Sequence, residues 1–267
     1  MRRDLEIEVL GRRICSARVA QTRMLGRQAP EELVRRAEGR TIASIIRRGK
    51  FLFLRLDSPD ALLIHRGMTG NLLLRVPSDP PERHLHLALT LDDGRELWLC
   101  DHRGFGEVRV LSEVEVEALD RRLGPEPLGD GFTFYYLAGQ CARRTALIKA
   151  LLLNQAIVAG LGNICVDEAL WEARVHPARR ANTLRSTEVE ALRSGVVRFL
   201  EASIVRRGTT FSDYKDLYGQ PGGNSSYLQV FHRVGQPCLR CGQPIGFIRA
   251  AGRGSSICPA CQREDGR

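Results

Sequence analysis

Four of the eight cysteines in this 267-residue chain stand in two pairs, Cys238-Leu-Arg-Cys241 and Cys258-Pro-Ala-Cys261, with 16 residues between the pairs. Two residues between thiols let each pair turn both sulfurs toward one ion, and this is the spacing of a zinc site. Four thiolates complete the tetrahedron, so the cofactor expected is one structural Zn2+ with no open position for catalysis. Cys15, Cys100, Cys141 and Cys165 are scattered. Disulfide pairing is the weaker reading, because the charged opening MRRDLEIEVL does not resemble a secretion signal. The expected compartment is therefore the cytoplasm.

Between the cysteine pairs, residues 245–249 and 255–258 read as a hairpin. Its turn, Ala250-Ala-Gly-Arg-Gly254, puts Arg253 near a glycine-rich tip anchored by the metal. Charge gives this arginine a context. Forty Lys and Arg against 31 Asp and Glu leave +9, with a pI near 9.5. A pI above 9 makes a polyanion the leading partner. Arginine richness is equally what a GC-rich genome produces. Only Lys50, Lys149 and Lys215 are lysines. The most apolar stretch, 146–160, is broken by Lys149, Asn154 and Gln155, so no membrane span is expected.

The elements that must position these residues change character along the chain. Residues 41–56 are rich in β-branched and aromatic residues and end at the turn Asp57-Ser58-Pro59-Asp60. A second short strand covers 62–65. Further on, Leu85, Leu87 and Leu89 alternate with His84, His86 and Ala88, which predicts an apolar face and a face with two imidazoles. Asp93-Gly94 signals a hairpin. Several short strands at this spacing indicate a sandwich or barrel. The Pro/Gly-rich stretch 123–131 reads as an interdomain linker. After it the period becomes helical: 145–155, then 186–206 with Val189, Leu192, Val196, Leu200 and Ile204 on one stripe, capped by Ser186 or Thr187. Residues 219–226 read as a flexible loop. The fold class is α+β, with an N-terminal β-sandwich over 1–122, a helical domain over 123–230 and a zinc module over 231–267.

Five segments now stand in order: His65-Arg-Gly-Met-Thr-Gly70, Asp101-His-Arg-Gly-Phe-Gly106, Leu123-Gly-Pro-Glu-Pro-Leu128, Gly160-Leu-Gly-Asn-Ile164 and the zinc hairpin. Together they resemble the formamidopyrimidine-DNA glycosylase family over nearly the whole chain. The resemblance implies a β-sandwich, a helix-two-turn-helix domain and a four-cysteine zinc-finger hairpin, with damaged double-stranded DNA between the domains. It implies a monomer that excises oxidised purines, formamidopyrimidine and 8-oxoguanine, and cleaves abasic sites by β- and δ-elimination. By the same resemblance Lys50 and Arg253 are the catalytic positions, Lys50 in proton transfer during β-elimination and Arg253 on the lesion phosphates. Elimination needs a base at C2′ and stabilised phosphate charge, and a guanidinium is better suited to bidentate phosphate binding than to proton donation. His84, Arg103, Arg144, Lys149 and Asn163 are the DNA-binding set. Met68, Arg103 and Phe105 are the void-filling set that occupies the space of an everted nucleotide.

Departures are present. Gly104 stands where a second basic residue is common, His102 where proline often is, and Cys165 where an aromatic is frequent. The family's nucleophile is an N-terminal proline with an adjacent glutamate, and Met1 corresponds to a point about nine residues inside that start. Nine helical residues span roughly 13 Å, too far for the Met1 amine to substitute. A misplaced start codon is the favoured explanation. A catalytically inactive damaged-DNA-binding homologue is the alternative, and an oxidised-pyrimidine glycosylase of the endonuclease VIII type is a further one. Other chemistries fail on inspection: no Walker loop, G-x-S-x-G or H-E-x-x-H is present. A His84/His86 metal pair lacks a third ligand, and Gly160-x-Gly162 lacks the strand and third glycine of a dinucleotide site.

Overall fold

The computed structural model describes residues 1–80 and 82–264. The chain forms two compact units, one of residues 1–121 with 207–223 and one of residues 122–206 with 224–267. Of the expected divisions at 122/123 and 230/231, only the first has a counterpart, since the helices and the zinc module fall in one unit. Segment 207–223 packs with the first unit because Leu217 is buried in that core, its carbonyl accepts from Leu74 N–H (2.9 Å), and Asn71 bonds Asp213 and Lys215. Residues 219–223 of the loop read as flexible belong to the same unit as this segment.

The first unit is a sandwich of two antiparallel four-stranded sheets. One has the order β1 (Ile14–Val19), β6 (Leu85–Leu91), β7 (Glu96–Cys100), β5 (Asn71–Arg75). The other runs β2 (Ile42–Arg48), β3 (Phe51–Leu56), β4 (Asp60–His65), β8 (Glu107–Ser112). Helices α1 (Arg2–Glu8) and α2 (Pro30–Ala37) contribute Leu5, Leu33 and Ala37 to the core shared by both sheets. Strand β4 is apolar from residue 61 to residue 64 because both its faces are covered there. Leu62 and Ile64 enter the main core, while Ala61 and Leu63 pack with Val116 of α3 (Glu113–Asp120).

The same double burial corrects the reading of β6. Leu87 and Leu89 face the core, but His86 and Ala88 are also buried, and Ala88 packs with Trp98 and Cys100 on the opposite side. His84 lies outside the strand, exposed, with φ of 61°.

The second unit holds α4 (Phe134–Ala142), α5 (Ile148–Leu153), α6 (Asn163–Glu172), α7 (Ser186–Val205) and the hairpin β9 (Gly246–Ala250) with β10 (Arg253–Ile257). Along α7, Val189, Leu192 and Val196 are buried, whereas Ile204 is 48% exposed, so the stripe leaves the core in its last turn. The helix starts at the cap residue Arg185, whose N–H donates to Glu188 (2.8 Å), not at a serine or threonine cap. The Pro/Gly stretch from 123 is packed, not loose. Gly124 donates to Gln155 O at 2.9 Å, and a Cβ there would collide with the Ile157 carbonyl.

Glu188 supplies a pH test of this unit. Burial pushes its carboxyl up, but hydrogen bonds from Arg179 and Arg185 outweigh that and hold it down at about 2, against 4.5. A depressed carboxylate stabilises the fold above its unfolded pKa and loses that contribution as pH falls through the folded value. The contribution, on the order of 3 kcal/mol, should therefore vanish between about pH 4.5 and 2. Unfolding of the unit followed across that window should steepen in the parent chain and flatten in Glu188→Gln. Parallel profiles would refute the assignment.

Candidate DNA interface and zinc centre

Each unit carries its own group of functional residues. In the first, Lys50 is exposed in the tight turn joining β2 and β3, where Arg47 donates to the Gly49 carbonyl at 2.7 Å. Met68 sits in the turn after β4 and is 70% exposed; Phe105, in the turn after β7, is 52% exposed. These are large apolar side chains left in solvent, which is unusual for core formers and suits a wedge. Arg103 joins them. Its Nη1 lies 3.8 Å from the Met68 sulfur and its guanidinium carbon 4.7 Å from the Phe105 ring centroid. The three predicted void-filling residues therefore form one contact cluster.

Asp101 assembles it. This carboxylate is 2% exposed. Oδ1 accepts from the Thr69 hydroxyl and from Arg103 N–H (3.1 Å), and Oδ2 accepts from the N–H groups of Phe105 and Gly106 (2.9 Å each). One buried acid thus fixes the turn that carries Met68 and the turn that carries Arg103 and Phe105. Burial raises its pKa, yet these donors bring it below the ordinary carboxylate value. His86 completes the support: Nε2 donates to the Asp101 carbonyl at 2.9 Å. Asp101 opens one of the five segments singled out in the sequence, but nothing local there marks what the acid binds. His84 is exposed, with its ring 6.3 Å from that of His102.

In the second unit Arg253 is exposed at the start of β10, paired across the hairpin with Ala250. The residue that holds this tip is Lys149, and its expected role needs correction. Lys149 is 0% exposed and cannot reach a DNA phosphate. Its ammonium donates to Asp167 Oδ1 (2.6 Å), Gly254 O (2.9 Å) and Ser255 Oγ (2.6 Å). Asp167 Oδ2 accepts from Ser256 N–H (3.1 Å), so the pair ties α5 and α6 to β10. Burial draws the ammonium down and the carboxyl up from their ordinary values, and each partner opposes the other's shift. Asn163, at the first turn of α6, donates its amide to the same Gly254 carbonyl (3.0 Å). Arg144 lies beyond the C-terminal end of α4, not at a helix start, and its guanidinium donates to Gln140 O at 3.0 Å.

The four paired cysteines converge as expected. Their sulfurs all lie within 4.8 Å of one another, and Cys241 and Cys258 Sγ are 3.4 Å apart. Bonds of about 2.3 Å in a tetrahedron put sulfurs about 3.8 Å apart, so the set fits zinc. Four crowded thiols cannot all ionise without a cation. Burial and the neighbouring thiols push Cys261 up to about 12, which a bound dication would reverse. Trp171, Val230 and Ile245 pack around Cys238 and Cys258. The buried carboxylate of Glu168 accepts from the N–H groups of Gln229, Val230 and Phe231 (2.8, 3.0 and 2.8 Å), fastening the approach to the zinc module onto α6.

Comparison with known proteins agrees with this architecture. Residues 1–108 match the formamidopyrimidine-DNA glycosylase N-terminal domain, 123–215 its H2TH domain, and 235–263 the zinc finger found in FPG and IleRS. The formamidopyrimidine-DNA glycosylase of Herpetosiphon aurantiacus is 41% identical over 263 residues, covering 98% of this chain and 96% of the relative. That of Symbiobacterium thermophilum is 45% identical over 98% of this chain and 86% of the relative. Among solved structures, Lactococcus lactis Fpg in complex with abasic-site DNA superposes with a TM-score of 0.91 at 35% identity, covering 98% of this chain and 96% of that one. The same enzyme bound to DNA containing N7-benzyl-Fapy-dG gives 0.91 at 34% identity with the same coverage. Among the described residues, no helix is long and apolar enough to cross a membrane.

Proposed function

Because this chain belongs to the formamidopyrimidine-DNA glycosylase family, we propose that it excises oxidised purines, formamidopyrimidine and 8-oxoguanine, from double-stranded DNA and cleaves the resulting abasic site. The observation that carries the reading is the exposed cluster of Met68, Arg103 and Phe105 on the buried Asp101. Excision requires the damaged nucleotide to leave the stack, and something must occupy its place. An apolar side chain replaces stacking, while a guanidinium satisfies the orphaned base opposite. Holding them together in advance removes ordering entropy from the bound state.

The remaining residues take supporting roles in this proposal. Lys50 moves a proton and neutralises phosphate charge during elimination. Arg253 grips lesion phosphates, the role best matched to its planar fork. His84, Arg144 and Asn163 contact the backbone. Cys238, Cys241, Cys258 and Cys261 would hold one zinc ion, which supplies a rigid base for the Arg253 hairpin and no reacting group. The protein would act as a DNA-associated cytoplasmic monomer.

Borohydride trapping tests the enzyme reading. A glycosylase that is also a lyase passes through a Schiff base at the sugar C1′, and borohydride reduces it to a permanent protein–DNA link. The reaction is run on 8-oxoguanine duplex with the 267-residue chain and with a form carrying a proline-glutamate segment before Met1. A covalent adduct from either form supports the proposal. Absence of an adduct from both would defeat it.

A further inference from the structure

The cluster around Phe105 contains a second cation, outside the void-filling set. Arg23 lies in the short 3-10 turn Arg23–Leu25, whose Met24 and Leu25 are each 1% exposed in the main core. The backbone of Arg23 is therefore fixed, while its side chain is in solvent. Its guanidinium carbon lies 5.8 Å from the centroid of the Phe105 ring, the ring that Arg103 also contacts. Its stem crosses Gly104. A Cβ on Gly104 would come within 2.6 Å of Arg23 Cδ and 2.9 Å of Nε. Gly104 has φ of +61°, so glycine suits both the turn and the passage of the arginine stem.

Two guanidiniums thus flank one half-exposed ring. Among the described residues neither Arg23 nor Arg103 pairs with a carboxylate. Asp101, the buried acid of the turn, is occupied by Thr69 and three backbone N–H groups. Like charges gathered without a counter-ion repel one another, and an incoming anion relieves that repulsion. The position matters as well. A basic residue is expected at 104 itself, and the side chain of Arg23 delivers a cation to that spot from another part of the chain.

We propose that Arg23 is a DNA-binding residue that donates to a backbone phosphate beside the void-filling cluster, in place of a basic residue at 104. The inference rests on the DNA-repair reading and adds to it a phosphate contact from outside the recognised motifs.

The test measures binding of a duplex with a tetrahydrofuran abasic analogue as a function of salt. Arg23→Ala should weaken binding about 5- to 10-fold near 0.1 M salt and reduce the slope of log affinity against log salt by about one. Arg23→Lys should keep the slope. Gly104→Arg should gain neither affinity nor slope, because a φ of +61° strains any side chain there and the Arg23 stem fills the space above it. An unchanged melting temperature in Arg23→Ala confirms that the loss is local. Parental affinity and slope in Arg23→Ala would overturn the proposal and leave the DNA-repair reading intact, as would weakening without a change of slope. A parent chain that does not bind the duplex would overturn both.

Discussion

Replacing Lys149 with methionine is expected to destabilise the helical unit by about 3–5 kcal/mol. The size comes from what is left behind. Methionine preserves most of the volume, so little cavity forms, but Asp167 remains almost fully buried with its cationic partner gone. An uncompensated buried carboxylate is the costly state. The double variant Lys149→Met/Asp167→Leu should regain most of the loss, because two well-packed apolar groups can replace a buried pair. Its DNA binding should stay impaired, since the tether from the ammonium to Gly254 O and Ser255 Oγ is still missing beside Arg253. Denaturant unfolding and duplex affinity on the three chains separate the two effects. A single variant that loses under about 1 kcal/mol, or a double variant that binds as the parent does, would remove Lys149 from this role.

Metal withdrawal should have the larger effect. Structural zinc contributes roughly 10–16 kcal/mol of apparent binding energy in small finger modules, and that energy is folding energy. The cluster around Cys238 and Cys258 is small, with Val230, Ile245 and Trp171 as its buried apolar members. It cannot replace such a term, so chelation should unfold the β9–β10 hairpin and abolish lesion binding. The sandwich should survive, because no zinc-binding cysteine lies in its core. The two tryptophans report the outcome separately: Trp98 belongs to the sandwich and Trp171 packs on the ligands. In a Trp98→Phe chain, chelator should shift the Trp171 emission, while the sandwich of the parent keeps its melting transition. Collapse of both units together would contradict this modular stability.

The contrast between these two sites shows what is legible in the sequence. Zinc ligands are declared by local spacing, because two residues between thiols already force the geometry. Met68, Arg103 and Phe105 are singled out only through the family resemblance of the short segments that contain them. Lys149 is misread from sequence because its role depends on contacts more than 100 residues away. Its rarity in an arginine-rich chain does carry information, but about shape. A compact ammonium with three donors fits three converging acceptors, Asp167, Gly254 O and Ser255 Oγ, where a planar fork would not. The supporting role of Asp101 is not legible for a similar reason, since its partners include Thr69, 32 residues earlier in the chain. For His86, alternation places the imidazole on a polar face, whereas it is 2% exposed and bonded to the Asp101 carbonyl.

The return of residues 207–223 to the first unit has a consequence during synthesis. When residue 121 leaves the ribosome, the sandwich still lacks Leu217 and the partners of Asn71. A further 102 residues (223 − 121) must be translated before they arrive. At about 5–20 residues per second that is a delay of roughly 5–20 s. For that interval the nascent sandwich exposes an open seam beside β5, an unpaired strand edge of the kind that other chains can join.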